Sequence, residues 1–123
     1  MNKYTKEIKV FKALSHPIRI AILELLRNGE QCVCHIEAAL GLRQAYISQQ
    51  LSALRKAGIL AKRRDGWNIY YRVIKMEMYT LLDSAYQLTG TPRSASELVP
   101  SNCTCPRCEH DIQDIPVITE LEL

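Results

Sequence analysis

The sequence predicts a mainly α-helical chain carrying one β-hairpin, and three observations predict it. Apolar residues recur every three to four positions through most of the chain up to about Leu88. The pattern turns extended after Gly58, and an Asp65-Gly66 pair then separates two short runs of strand-forming residues. Ile8, Phe11 and Leu14 mark a first helix from about Tyr4 to Leu14. Ser15-His16-Pro17 reads as a stop and a restart, with His16 as a capping residue and Pro17 in the first turn of the next helix. Ile18, Ala21, Ile22, Leu25 and Leu26 form the buried side of that second helix, and Asn28-Gly29 closes it. Val33, Ile36 and Leu40 define a short third helix ended by Gly41. A fourth runs from about Gln44 to Lys56, with Ile47, Leu51 and Leu54 inward and Ala57-Gly58 at its end. Two strands, 59–64 and 67–74, flank a tight turn at Asp65-Gly66. A last helix, about Met76 to Leu88, offers Met78, Leu81, Leu82, Ala85 and Leu88 for burial.

With 123 residues the chain has room for one domain with one core. The predicted organisation is a helical domain over 1–90 and a cysteine-containing tail over 91–123, joined through Gly90, Pro92 and Pro100. A hydrophobic fraction of 47% excludes a disordered chain. No apolar run approaches the ~20 residues needed to cross a bilayer. The segment Met1 to Glu7 alternates charge and lacks a signal-peptide core, so a cytoplasmic protein is expected, with its thiols reduced. In that setting the five cysteines, Cys32, Cys34, Cys103, Cys105 and Cys108, point to metal binding or redox chemistry rather than to structural disulfides.

The formal charge is only +3, but eight basic residues between Arg43 and Lys75 face Asp65 alone, a local +7 that leaves −4 for the remainder. A basic block on an otherwise acidic protein is the footprint of phosphate binding, although a solvated basic face would look the same taken alone. The third and fourth helices, joined by a short glycine-containing turn, make a helix-turn-helix. The outer face of the fourth carries Arg43, Gln44, Tyr46, Ser48, Gln49, Ser52 and Arg55. Arg and Gln can pair with purine edges in the major groove, and Ser and Tyr reach bases or phosphates. Lys62, Arg63 and Arg64 would line the hairpin as a wing along the DNA backbone or minor groove. The fold class is therefore a winged helix-turn-helix with double-stranded DNA as partner.

Leu14-Ser15-His16-Pro17-Ile18-Arg19, Cys32-Val33-Cys34, the stretch from Ile47 through Leu60, and Arg64 through Val73 together resemble the ArsR/SmtB family of metal- and metalloid-sensing repressors. The resemblance spans roughly Lys9 to Leu88. It implies a homodimer paired through the first and last helices, with Tyr79, Tyr86 and the methionines of the last helix in the dimer core. It also implies repression at a near-palindromic operator and release from DNA when the ion binds. Where the family pattern has Arg-His, this chain has Gln49-Gln50, which points to a different operator preference.

Cys-Val-Cys at this helix marks the arsenic-type members, so the resemblance implies arsenite or antimonite as inducer, with cadmium, lead or zinc as alternatives. Positions i and i+2 of an α-helix lie about 200° apart, so the two thiolates would hold one ion only if the first turn unwound. Such unwinding would couple binding to the recognition helix. The family's third cysteine is replaced here by Glu37. Cys103, Cys105 and Cys108 either complete the helix site or form their own, and with His110 they could hold zinc. The rival within the fold is a thiol-redox or persulfide switch. The rival outside it, a thiol-dependent enzyme such as an arsenate reductase, would need an oxyanion loop around its nucleophilic cysteine, and none is present. Catalysis is not expected.

Overall fold

Pro17 has no N–H to leave unsatisfied and fixes φ, so the second helix starts there, one residue after His16 turns its extended backbone (φ −157°, ψ 124°) across the helix N-terminus. The His16 Nδ1 accepts the Ile18 N–H at 3.2 Å, the cap expected from sequence. The computed structural model describes residues 3–91. It contains α1 (Thr5–Leu14), α2 (Pro17–Leu25), β1 (Gln31–Cys32), α3 (Val33–Leu40), α4 (Gln44–Lys56), β2 (Leu60–Asp65), β3 (Asn68–Val73) and α5 (Glu77–Thr89). The expected tail, with Cys103, Cys105, Cys108 and His110, lies outside the described residues.

Ile22, Leu23, Ile36, Ile47, Leu51, Leu54, Ile59 and Leu60 are fully buried and join α2, α3, α4 and the root of β2 in one core. At roughly 1.5–3 kcal/mol for each aliphatic side chain removed from water, this cluster is what holds the helices in register. The turn between α3 and α4 depends on Gly41, which takes φ +65° and returns its N–H to the Glu37 carbonyl at 2.8 Å.

The sheet differs from the expected lone hairpin. It has three antiparallel strands in the order β1-β3-β2, with Gln31 and Cys32 opposite Tyr71 and Tyr70. Two residues carry no periodicity, so β1 is invisible in sequence and exists because β3 offers it an edge. The hairpin turn also falls one residue later than expected. Asp65 pairs with Asn68, and the loop is Gly66-Trp67. Gly66 takes φ +64° at the first loop position while Trp67 keeps negative φ, the arrangement of turns that match the twist of the strands.

The outer helices divide their apolar residues between the chain's own core and its surface. Tyr79 is buried within the chain, its hydroxyl donating to the Leu23 carbonyl at 2.7 Å, and the half-buried Tyr86 donates to Glu24 Oε2 at 2.5 Å. On α1, Ala13 is buried and Val10 and Leu14 pack partly buried on the core, whereas Ile8 and Phe11 are exposed. Of the residues offered by α5, Met78 and Leu82 are buried, whereas Leu88 stays exposed. Among the described residues no helix is long and apolar enough to cross a membrane.

Burial and the Glu24 hydrogen bond push the Tyr86 hydroxyl up to about 12 from its ordinary 10.0. The folded state therefore favours the protonated phenol. The stability this contributes is complete below pH ~10 and is lost as pH rises through about 12, where the unfolded chain ionises more readily. Alkaline unfolding of Tyr86→Phe, followed by circular dichroism, should show a shallower decline over that window.

Candidate DNA interface and cysteine pair

The apolar stripe Ile47, Leu51 and Leu54 pins α4 to the core, so its opposite face must point outward. Arg43, Gln44, Ser48, Gln49 and Arg55 are exposed and Ser52 is half-buried. Ser48, Gln49, Ser52 and Lys56 line an open concavity of about 430 Å³ on this face. The structure thus brings most of the expected DNA-reading residues to one free helix surface. Tyr46 is placed differently. Since His16 Nδ1 accepts a hydrogen bond from the Ile18 N–H, Nε2 carries the ring proton and donates to the Tyr46 hydroxyl at 3.2 Å.

Sequence reasoning missed what anchors α4 on its polar side. Gln50, adjacent to the outward Gln49, is 7% exposed and accepts from Arg19 Nε at 2.8 Å. Arg19 Nη1 also donates to the Ala13 carbonyl at 3.3 Å. A Gln on a helix that otherwise shows a polar face gives no sign in sequence that it turns inward.

On the hairpin, Lys62 and Arg64 are exposed, and Trp67 at the tip is 99% exposed. Arg63 is engaged within the chain. Its Nε and Nη2 donate to the two carboxylate oxygens of Glu30 at 2.8 Å each, and its guanidinium lies 4.6 Å over the Tyr70 ring. A planar fork over an aromatic face is a geometry that arginine makes and lysine does not.

Cys32 and Cys34 meet at the junction of β1 and α3, joined by a disulfide with a Cα–Cα distance of 5.3 Å. The premise that both sit on helical turns facing apart does not hold. Cys32 is the N-cap of α3 in extended conformation (φ −79°, ψ 159°), so its side chain reaches Cys34 without any unwinding. Cys32 is fully buried against Tyr70, and its Sγ accepts the His35 N–H at 3.3 Å. Glu37, standing where the family pattern has a third cysteine, is half-buried, and desolvation pushes its carboxyl up. Among the described residues no group of three His, Cys, Asp or Glu side chains converges as a metal site, so the pair alone offers two sulfurs.

Residues 16–62 match the sequence pattern of the bacterial regulatory proteins of the arsR family. An HTH-type transcriptional regulator of Methanocaldococcus jannaschii is 48% identical over 75 residues, covering 59% of this chain and 84% of that protein. The biofilm growth-associated repressor of Agrobacterium fabrum is 37% identical over 93 residues, covering 75% and 80%. The arsenic resistance transcriptional regulator ArsR1 of Pseudomonas putida is 48% identical over 65 residues, covering 52% and 51%. Among solved structures, Rv0081 of Mycobacterium tuberculosis superposes with a TM-score of 0.65 at 38% identity, covering 71% of this chain and 88% of that one. Reduced HlyU from Vibrio cholerae gives 0.64 at 25% identity over 71% and 92%. The homodimeric winged helix-turn-helix domain of Mb0332 from Mycobacterium bovis gives 0.62 at 29% identity over 73% and 88%. With its helix-turn-helix, basic hairpin and three-stranded sheet, the chain belongs to the arsR family of winged helix-turn-helix transcriptional regulators, a family of DNA-binding proteins and not of enzymes.

Proposed function

We propose that this regulator represses transcription as a homodimer on a near-palindromic operator and that the Cys32–Cys34 pair is its sensing element, answering to arsenite or antimonite. The observation that carries the reading is the meeting of two sulfurs between the hairpin sheet and the helix that supports α4. Two convergent thiolates fit a trivalent metalloid as two of its three sulfur ligands. Cys103, Cys105 or Cys108 would supply the third. Similarity to an arsenic resistance regulator supports this inducer, and the open apolar residues Ile8, Phe11 and Leu88 on α1 and α5 support dimerisation through those helices.

A second reading has its own observation. The pair is disulfide-bonded, so a dithiol/disulfide switch requires no further ligand. Cadmium, lead or zinc as inducer would keep the repressor and change only its ion.

Operator binding measured by fluorescence anisotropy under anaerobic, reducing conditions tests the proposal. Near-stoichiometric arsenite or antimonite is expected to weaken binding by roughly 10- to 100-fold, the usual range of allosteric coupling. Cys32→Ser with Cys34→Ser should abolish the response. Trp67, the sole tryptophan, sits exposed on the wing, so its emission should change on operator addition and give an independent readout. Release by cadmium, lead or zinc alone would reassign the ion, and release on oxidation alone would favour the disulfide switch. Indifference to both ions and oxidant would overturn the sensing role.

A further inference from the structure

One line of residues crosses the sheet from the cysteine pair to the wing. Cys32 on β1 stands opposite Tyr70 on β3, and Tyr70 stands opposite Arg63 on β2. Cys32 packs on Tyr70, and Tyr70 carries the Arg63 guanidinium at 4.6 Å. The loop closes through the backbone, because Glu30, which holds Arg63 with two bonds of 2.8 Å, lies two residues before Cys32 and leads directly into β1. The Glu30 side chain is 17% exposed and that of Arg63 is 53% exposed, so the arginine is reachable by an outside anion while its partner is largely sheltered.

We infer that Glu30 and Tyr70 are positioning residues for Arg63, and that bridging of the cysteine pair sets whether Arg63 stays on Glu30 or turns to an operator phosphate. This rests on the sensing role proposed for the pair. In either version of that role the closed state joins the two sulfurs, directly or through an ion. Joining them fixes Cys32 against Cys34 and so fixes β1, which is only two residues long and follows Glu30 directly. Glu30 and phosphate compete for one guanidinium, since each takes the same paired N–H donors. A fixed β1 keeps the carboxylate in place and withholds Arg63 from DNA. An open dithiol loosens β1, and phosphate wins. The signal therefore reaches the wing through the sheet edge without requiring α3 to unwind.

The test compares full-length wild type, Glu30→Gln, Glu30→Asp and Arg63→Gln as open dithiols and as bridged forms, by operator affinity across a salt series. Bridging is done with arsenite, or with diamide. With diamide the two thiols give up two protons and two electrons to the azo bond, which becomes a hydrazine as the S–S bond forms. Wild type is expected to bind about 10-fold more weakly when bridged, within the usual coupling range. Glu30→Gln should recover most of that loss in the bridged form and leave the dithiol within about two-fold of wild type. Its bridged salt slope should steepen by about 0.9, one regained phosphate contact. Glu30→Asp should keep the wild-type ratio, and Arg63→Gln should flatten it. An equal gain for Glu30→Gln in both forms would mean simple removal of a negative charge and would overturn the inference, as would an unchanged ratio. A wild-type ratio of one would instead remove the sensing role itself, and this inference with it.

Discussion

Arg27→Met is expected to lower the unfolding free energy by about 3–5 kcal/mol, the cost of stranding one member of a buried ion pair. Arg27 is 12% exposed and donates through Nε and Nη2 to both oxygens of Glu24 at 2.8 Å, and Glu24 is 6% exposed. The same guanidinium reaches Asp83 at 2.9 Å and lies 4.6 Å over the Tyr79 ring, so it binds α2 to α5. Hydrogen bonding to Glu24 holds the arginine firmly in its charged form. Without it, the Glu24 carboxylate, only 6% exposed, loses its charged partner while keeping the Tyr86 hydroxyl. The check is urea denaturation at fixed protein concentration, reading the midpoint at constant m-value. Adding Glu24→Leu to Arg27→Met should restore much of the loss, because the penalty lies in the orphaned charge and not in the absent pair.

Leu51→Ala should cost about 2–5 kcal/mol, because a fully buried leucine leaves a cavity that helices on several sides cannot close. Leu51 lies on the inner stripe of α4, with no exposed surface. Operator binding should fall with it, since the outer face of α4 is aimed only as well as its inner face is seated. Gln49→Ala makes the contrasting case. Gln49 is exposed, so stability should stay within about 0.5 kcal/mol. Operator affinity should nevertheless drop by about 1–3 kcal/mol if the amide pairs with a base edge. Thermal melts and anisotropy on the same two variants separate seating from reading.

These two variants also show where the sequence is legible. The spacing of Ile47, Leu51 and Leu54 reveals both faces of α4, because helical burial repeats locally and needs no knowledge of distant residues. Glu24 gives no such signal. A charged residue reads as surface until Arg27, Asp83 and Tyr86 are known to surround it, and two of those lie more than fifty positions away in sequence. β1 fails for the same reason, being made by the edge of β3 and not by its own two residues. Arg63 reads from sequence as a basic residue of the hairpin, and its tie to Glu30 leaves no local sign because it spans 33 positions. Spacing singles out the cysteine pair but not its geometry, because nothing in the local pattern shows that Cys32 caps the helix instead of lying within it. The arsR family signature itself was carried by local motifs and was fully readable.

The open face of α1 has a consequence for how this protein holds together. A ten-residue helix with one buried side chain cannot sustain itself, since isolated helices of that length are marginal in water. Val10 and Leu14 pack partly buried against the core, whereas Ile8 and Phe11 are exposed, and in the proposed homodimer a second copy would cover those two. In that proposed homodimer, folding of α1 and association of protomers would be one equilibrium instead of two. Concentration would then act on this protein as a structural variable, with dilution felt first at the short N-terminal helix.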